Sequence, residues 1–169
     1  LDLAINGDGF FEVLLPDGTM GYTRAGTFSR DALGNITTQS GFILQPEINI
    51  PPGSSQISIS QEGLVTGVLA GETAVTELGQ LTIASFANPR GLTPIGENFF
   101  SATAASGDPV VGIPANQGRG KLIQGNLEGS NVNVVQQLVE MIETQRAYEV
   151  SSKSITASDE MMRFISNNL

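Results

Sequence analysis

Short apolar stretches alternate with turn residues along the chain from about residue 9 to residue 100. In "QISIS", Ile57 and Ile59 alternate with serines, which is the period-two pattern of a half-buried strand. Turn signals such as the Pro-Asp-Gly at 16–18, where proline fixes φ and glycine accepts positive φ, recur at intervals of roughly 8 to 12 residues. This pattern predicts an antiparallel β-domain over residues 1–120 and leaves a sandwich, a barrel and an irregular sheet open.

The segment at residues 101–120, "SATAASGDPVVGIPANQGRG", is small, polar and rich in glycine and proline. Such a composition predicts a long loop that is ordered by what it lies against, and it is equally compatible with a linker. Residues 121–132 are expected to connect the β-domain to the last part of the chain.

The C-terminal residues have a different pattern. The stretch "EGSNVN" offers Ser130 and Asn131 as helix caps, because their side-chain oxygens can accept hydrogen bonds from the first free backbone amides. No proline or glycine occurs between Ser130 and Leu169. The sequence therefore predicts a helix over residues 133–169, which makes the fold class mainly β with one long C-terminal α-helix of the coiled-coil type.

One narrow apolar line follows this helix. Counting in sevens from Val134 gives five more apolar residues: Met141, Tyr148, Ile155, Met162 and Leu169. Leu138 and Ile165 extend this line, and the eight residues together are called the heptad line. The remaining heptad core positions are polar: Gln145, Ser152, Asp159 and Ser166. About 36 helical residues at ~1.5 Å each would extend roughly 54 Å, more than a small β-domain needs. We expect the line to pack on a helix of an absent part of the chain or of a neighbouring subunit; packing on its own sheet is the alternative.

The stretch "AINGDGFFEV" contains glycines that could indicate a phosphate cradle or a calcium loop. A dinucleotide fingerprint requires a third glycine, but that position is Glu12, whose charge would repel a phosphate. A calcium loop requires oxygen ligands at its third and twelfth positions, which are Ala4 and Val13. The stretch is therefore interpreted as a tight turn that leads Phe10 and Phe11 into the first strand.

Composition excludes several classes of function. With no cysteine and no histidine among 169 residues, the chain lacks a thiolate nucleophile, the commonest general base and most zinc ligands. A net charge of −9, with eight scattered basic residues, argues against nucleic acid or an anionic membrane as a partner. No apolar run approaches the ~20 residues that span a bilayer. We expect no enzyme activity, no metal, no cofactor and no small-molecule substrate.

Charge is distributed unevenly along the chain. Residues 1–129 contain five basic and twelve acidic side chains, whereas residues 130–169 contain three and five. This favours an acid-rich β-domain on the outside of an assembly and a more balanced helix inside, where like charges would be costly to crowd. Because the first residue is Leu1 and not methionine, we expect the chain to begin partway through a longer protein.

Several of these stretches resemble one family, the bacterial flagellar rod and hook proteins. "LDLAINGDGFFEV", "PDGTMGYTRAGTFSRDALGNI" and "GF.LQP.I.IP" are similar to the central region of that family, and "GNLEGSNVNVVQQLVEMIETQRAYEVSSKSITASDEMM" is similar to its C-terminal signature. Within the family, "MIETQRAYE" and "GLTPIGENFF" are most similar to the distal rod members. Hook members tend to have "QRNYQ" where this chain has "QRAYE".

The resemblance implies an axial structural protein of the flagellar basal body, secreted through the type III export channel and polymerised with itself into a hollow shaft. Such a shaft spans the periplasm and transmits motor torque to the hook. The implied partners are copies of the same chain, neighbouring rod and hook proteins, and the surrounding outer-membrane and periplasmic ring proteins. The family's N-terminal helix, which pairs with the C-terminal one, is absent from these residues. A hook or proximal rod subunit is the alternative within the family, and a secreted β-domain binding module is the alternative of another class.

Overall fold

The computed structural model describes residues 1–71 and 74–167, with side chains as far as Arg163. The chain divides after Glu128 into two compact units. Residues 1–128 are called the β unit here, and the residues from Gly129 onward the helical unit. The strands of the β unit are, in chain order, Leu3–Asn6 (β1), Phe11–Leu14 (β2), Met20–Thr23 (β3), Phe28–Arg30 (β4), Ile36–Thr38 (β5), Ile43–Gln45 (β6), Ser55–Ile59 (β7), Leu64–Val68 (β8), Val75–Gln80 (β9), Ile83–Ser85 (β10), Thr93–Gly96 (β11), Phe99–Ser101 (β12), Val110–Gly112 (β13) and Lys121–Gln124 (β14).

These strands form four antiparallel sheets. The largest has seven strands in the order β11-β12-β3-β2-β6-β5-β4. A second sheet has the order β7-β8-β9, while β1 pairs with β14 and β10 pairs with β13. The structure therefore confirms the predicted antiparallel β fold. Where the sequence allowed a sandwich, a barrel or an irregular sheet, the structure has several separate antiparallel sheets.

The turns between strands follow the predicted chemistry. The hairpin from β2 to β3 turns at Gly18, whose φ is +80° and whose N–H donates to the carbonyl of Leu15 at 2.9 Å. Asp17 completes the turn, because its Oδ1 accepts a hydrogen bond from the N–H of Thr19 at 2.9 Å. Glycine and aspartate are the residues that such a turn favours, which explains why its position could be read from the sequence.

The core of the β unit is built around aromatic and branched aliphatic side chains. Phe11 and Val13 on β2 are fully buried, and the Phe11 ring meets the Phe28 ring edge to face at a centroid distance of 5.0 Å. A second cluster contains Tyr22 and Phe86, whose ring centroids are 4.8 Å apart at an interplanar angle of 89°. Such perpendicular ring pairs contribute beyond the area they bury.

The pair of β1 and β14 departs from the sequence-based boundaries. Leu3–Asn6 forms a strand before the glycine-rich turn, so the strand that Phe10 and Phe11 enter is the second and not the first. Lys121–Gln124, expected in the connecting segment, is the last strand of the β unit. Both strands have only four residues, which is too few for a periodic signal. They are stabilised by pairing with each other, although they lie at opposite ends of the sequence of the β unit.

The segment 101–120 is ordered and is not a free linker. Within it, Val110–Gly112 pairs with Ile83–Ser85, which adds a strand where the sequence predicted only a loop. Thr103 anchors the part before this strand, because its hydroxyl donates to the carbonyl of Gly91 at 2.6 Å. The strand was missed because it has only three residues, one of them Gly112, and lies in a segment rich in glycine and proline.

The helical unit contains one described helix, Val134–Asn167. Its 34 residues correspond to about 51 Å at 1.5 Å per residue. Asn133 caps it, because its Oδ1 accepts hydrogen bonds from the N–H groups of Val135 at 3.1 Å and Gln136 at 3.3 Å. In the described part of the chain, no helix is long and apolar enough to cross a membrane.

The cap therefore lies beyond the residues proposed from the sequence. Ser130 uses its hydroxyl oxygen to accept a hydrogen bond from the N–H of Val132 at 3.2 Å, which makes a turn before the helix. Asn131 makes no described side-chain hydrogen bond. Asn133 is the cap because it stands directly before Val134, at the one position from which a side chain reaches the second and third helical amides.

Candidate assembly surface

The heptad line predicted from the sequence lies exposed on the helical unit. Exposed fractions between 51% and 79% are found for its six described side chains, Val134, Leu138, Met141, Tyr148, Ile155 and Met162. The side chain of Ile165 and the whole of Leu169 lie outside the described residues. Whether this line forms an assembly contact stays a prediction.

The line winds slowly around the helix. Seven residues of a straight α-helix turn through about 20° less than two full turns, so each member is displaced from the one before by that angle. A partner helix that follows such a line must wind around it in a left-handed sense. The geometry is that of a coiled-coil seam.

The apolar surface is wider near the start of the helix than the heptad line alone. Val135, Val139 and Ile142 are also exposed, and with Leu138 they have the i, i+3, i+4, i+7 spacing of one helix face. This signal was present in the sequence but was missed because the residues were counted only in sevens from Val134. The heptad line together with these three residues is called the apolar helix surface below.

The helix receives little support from its own side chains. Thr144 and Thr156 donate their hydroxyl hydrogens back to the helix, to the carbonyls of Glu140 at 2.8 Å and Lys153 at 2.9 Å. No ion pair occurs along its described residues. Since full burial of one large aliphatic side chain is worth about 1.5–3 kcal/mol, covering the apolar helix surface is the largest stabilisation open to it.

The turn between β1 and β2 is held by Arg24. Its Nη1 donates to the carbonyls of Gly7 at 3.1 Å and Gly9 at 3.0 Å, and its Nη2 donates to the carbonyl of Ile5 at 3.1 Å. Gly7 has φ +116°, and a Cβ there would lie 2.8 Å from the Cα of Gly120. The turn thus presents carbonyl oxygens to a cation, whereas a phosphate cradle would present N–H groups. The structure confirms a turn, and its glycines allow a close approach of two backbones.

Glu12 is a buried acid in the middle of β2. It pairs across the strands with Tyr22, and both side chains are buried. Burial raises the pKa of the Glu12 carboxyl, and the hydrogen bond from the Tyr22 hydroxyl opposes that shift. Burial and the charge of Glu12 raise the pKa of Tyr22. Across residues 1–71 and 74–167, no three acidic side chains come together in a way that could hold a metal ion.

Two known domain families match this chain. The family described as "Flagellar hook protein FlgE/F/G D1 domain" matches residues 4–67, in the β unit. The family described as "Flagellar basal body rod FlgEFG protein C-terminal" matches residues 123–169, which include the helix. The two matches occur in the order expected from the sequence resemblance.

Similar individual proteins include rod and hook proteins. The flagellar basal-body rod protein FlgG of Buchnera aphidicola subsp. Acyrthosiphon pisum is 50% identical over 165 residues, a region that covers 98% of this chain and 64% of that protein. The flagellar hook protein FlgE of Salmonella typhimurium is 32% identical, with 98% of this chain and 43% of that protein covered. The crystal structure of the Helicobacter pylori flagellar hook protein FlgE2 has a TM-score of 0.38 at 16% identity, over 65% of this chain and 29% of that one.

The chain spans 64% of the length of the rod relative. The aligned region covers almost every residue of both the β unit and the helical unit, and half of the aligned residues are identical. On these matches, the chain belongs to the family of bacterial flagellar rod and hook proteins.

Proposed function

We propose that this chain is part of a structural subunit of the flagellar rod, which polymerises into a hollow shaft in the basal body and transmits motor torque to the hook. The observation that carries the proposal is the apolar helix surface, because a monomer exposes it and a helical assembly would bury it. The proposed role is mechanical and requires no catalysis.

A rod subunit is favoured over a hook subunit. The chain is 50% identical to the rod protein above and 32% identical to the hook protein, over nearly the same share of its length. The sequence resemblance to distal rod members points in the same direction, so we assign the chain to the distal rod. A hook or proximal rod subunit is the alternative within the family.

The proposed layering places the helical unit inside the shaft and the β unit outside. The excess of acidic over basic side chains in residues 1–129 supports this layering, since exposed like charges are tolerated in water but not in a packed seam. The proposed partners are other copies of this subunit, adjacent rod and hook proteins, and the ring proteins that surround the shaft.

A carbohydrate-binding module is the candidate of a different class. Sugar sites commonly use exposed aromatic rings, but Tyr22 of the β unit is only 4% exposed and packs against Phe86. Tyr148 is exposed, but it lies on the heptad line, which helix packing would cover in the proposed assembly. The arrangement of both tyrosines therefore favours the structural role.

The test places a charge in the seam of the full-length protein. Met141→Asp and Ile155→Asp are expected to block rod formation, because each would bury an unpaired carboxylate. Ala157→Asp is the matched control, since Ala157 is exposed and lies roughly on the opposite side of the helix from the heptad line. Electron microscopy measures rod formation, and circular dichroism measures the melting of the β unit.

The two measurements separate the possible results. Lost rods with unchanged melting of the β unit support the proposal. Normal rods from both seam variants would contradict it, and so would monodisperse monomers of the unmodified protein under all conditions. A fall in β-unit melting together with the loss of rods would show that the helix belongs to the core of the β unit.

A further inference from the structure

Arg24 makes one more contact beyond the three carbonyls of the turn. Its Nε donates to Oε2 of Glu128 at 2.7 Å, and this is the one ion pair found among the described residues. Glu128 is 104 residues further along the chain and is the last residue of the β unit. A single guanidinium therefore joins the turn after β1 to the point where the chain leaves the unit.

The chain after β14 has few other attachments. The N–H of Gly125 donates to the carbonyl of Asp2 at 2.8 Å, which continues the pairing of β14 with β1 for one residue. Residues 126–128 are exposed, and within the described part of the chain their only hydrogen bond is the one from Arg24 to Glu128. Without that contact, the ordered part of the β unit would end at Gly125.

The guanidinium is well suited to this contact because it is already fixed. Hydrogen bonds to the carbonyls of Ile5, Gly7 and Gly9 occupy its two terminal nitrogens, and its Nε remains for the carboxylate. A fixed cation removes much of the side-chain entropy cost that weakens most surface ion pairs. Lysine could not replace it, since an ammonium group has three donors and no planar fork.

We propose that Arg24 is a positioning residue that holds Glu128 on the β unit, so that the chain leaves this unit from a fixed point. The flexible connection to the helix is then limited to residues 129–132, with Asn133 as the cap. The mechanical consequence rests on the proposed function: in a rod, a shorter flexible connection would couple the outer domain more stiffly to the helical layer.

The first experiment measures the contact in the monomer. Backbone 15N order parameters of residues 126–128 are measured in the full-length protein below its polymerisation concentration. We expect values of ~0.85 in the unmodified protein and below ~0.6 in Glu128→Ala, the ranges of rigid and flexible backbone. Glu97→Ala is the matched control, because Glu97 is also exposed and also accepts a side-chain hydrogen bond, from Ser40.

Each outcome of this experiment decides the proposal. A fall in Glu128→Ala that is absent in Glu97→Ala supports it. Unchanged order in Glu128→Ala overturns it, and so does an unmodified protein that is already flexible at residues 126–128. Arg24→Lys is expected to loosen the same residues, because it keeps the charge but loses the carbonyl contacts that fix it.

The second experiment measures the mechanical consequence. Rods of Glu128→Ala are expected to form, with a bending persistence length at least about twofold lower than that of Glu97→Ala rods, as measured by electron microscopy. Equal stiffness overturns the coupling of the contact to the shaft. If the unmodified protein forms no rods at all, the proposed function fails, while the order parameters still decide whether Arg24 holds Glu128.

Discussion

Apolar side chains of similar size are buried in the β unit and exposed in the described part of the helical unit. In the β unit, Phe11 and Leu122 are at most 1% exposed, and rings such as Phe11 and Phe28 meet in perpendicular pairs. In the helical unit, the described side chains of comparable size on the heptad line, such as Leu138 and Met141, are at least half exposed. The sheets are therefore stabilised by apolar burial within the chain. The helix would gain most of its stabilisation only when its apolar surface is covered.

This difference separates folding from assembly. A domain that buries its own core can fold before it meets a partner, and long-range strand pairs such as β1 with β14 close it as a unit. A long helix with an uncovered apolar surface depends on association for most of its stability. Under the proposed function, a subunit that polymerises into a rod would benefit from this division.

The largest expected effect compares one core residue with one helix residue. Phe11→Ala should lower the free energy of unfolding of the β unit by about 3–5 kcal/mol, because it removes a fully buried ring and leaves a cavity. Leu138→Ala should change it by less than ~0.5 kcal/mol, since Leu138 is exposed on the helix. Denaturant unfolding of the monomeric chain, followed by near-ultraviolet circular dichroism, measures both.

Equal losses in these two variants would contradict the division into independent units. Phe11→Leu is a useful control, because it keeps an apolar side chain at the site and should cost less than the alanine substitution. A strong loss in Leu138→Ala alone would mean that the helix stabilises the β unit directly.

The second prediction concerns pH and the buried acid of the β unit. Burial raises the folded-state pKa of Glu12 above its unfolded value of 4.5, so ionised Glu12 destabilises the fold at neutral pH. This penalty shrinks as the pH falls through the folded pKa and is gone once the pH is below 4.5, where the carboxyl becomes protonated in both states. Glu12→Gln should therefore raise the melting temperature at about pH 7, and the gain should vanish at about pH 4.

Thermal melting of Glu12→Gln and the unmodified chain across this pH range measures the effect. Glu62→Gln is the matched control, because Glu62 is exposed in the turn between β7 and β8. A gain for Glu12→Gln that stays constant from pH 7 to pH 4 would show that ionisation of Glu12 is not its cause. A loss at pH 7 would show that the carboxylate itself stabilises the fold.

Local sequence signals predicted the strands of the β unit that have a clear apolar–polar alternation or a strong turn beside them. Alternation identified Ser55–Ile59, and turn chemistry identified the hairpin around Gly18. The short strands β1, β13 and β14 could not be predicted, because their stability comes from partners far along the chain. The order of the strands in each sheet depends on the same non-local pairing and has no local signature.

The candidate site was predictable to a similar degree. The heptad line could be counted directly, since helix periodicity is a local property, and Val135 and Ile142 would have been found by counting the spacing of three and four. The contact between Arg24 and Glu128 could not, because nothing in either neighbourhood indicates a partner 104 residues away.

The smallest expected effect concerns the start of the helix. Asn133→Ala removes the oxygen that accepts the N–H groups of Val135 and Gln136, and a lost cap of this kind costs about 0.5–2 kcal/mol of helix stability. Because the uncovered helix is marginal in the monomer, the first turns should fray and the ellipticity at about 222 nm should fall. The melting temperature of the β unit should not change. Ser130→Ala is the matched control, since Ser130 accepts a hydrogen bond only in the preceding turn. If Ser130→Ala lowers the helical signal as much as Asn133→Ala does, the helix begins earlier than Val134 in solution, and the connection that leaves the β unit is shorter than four residues.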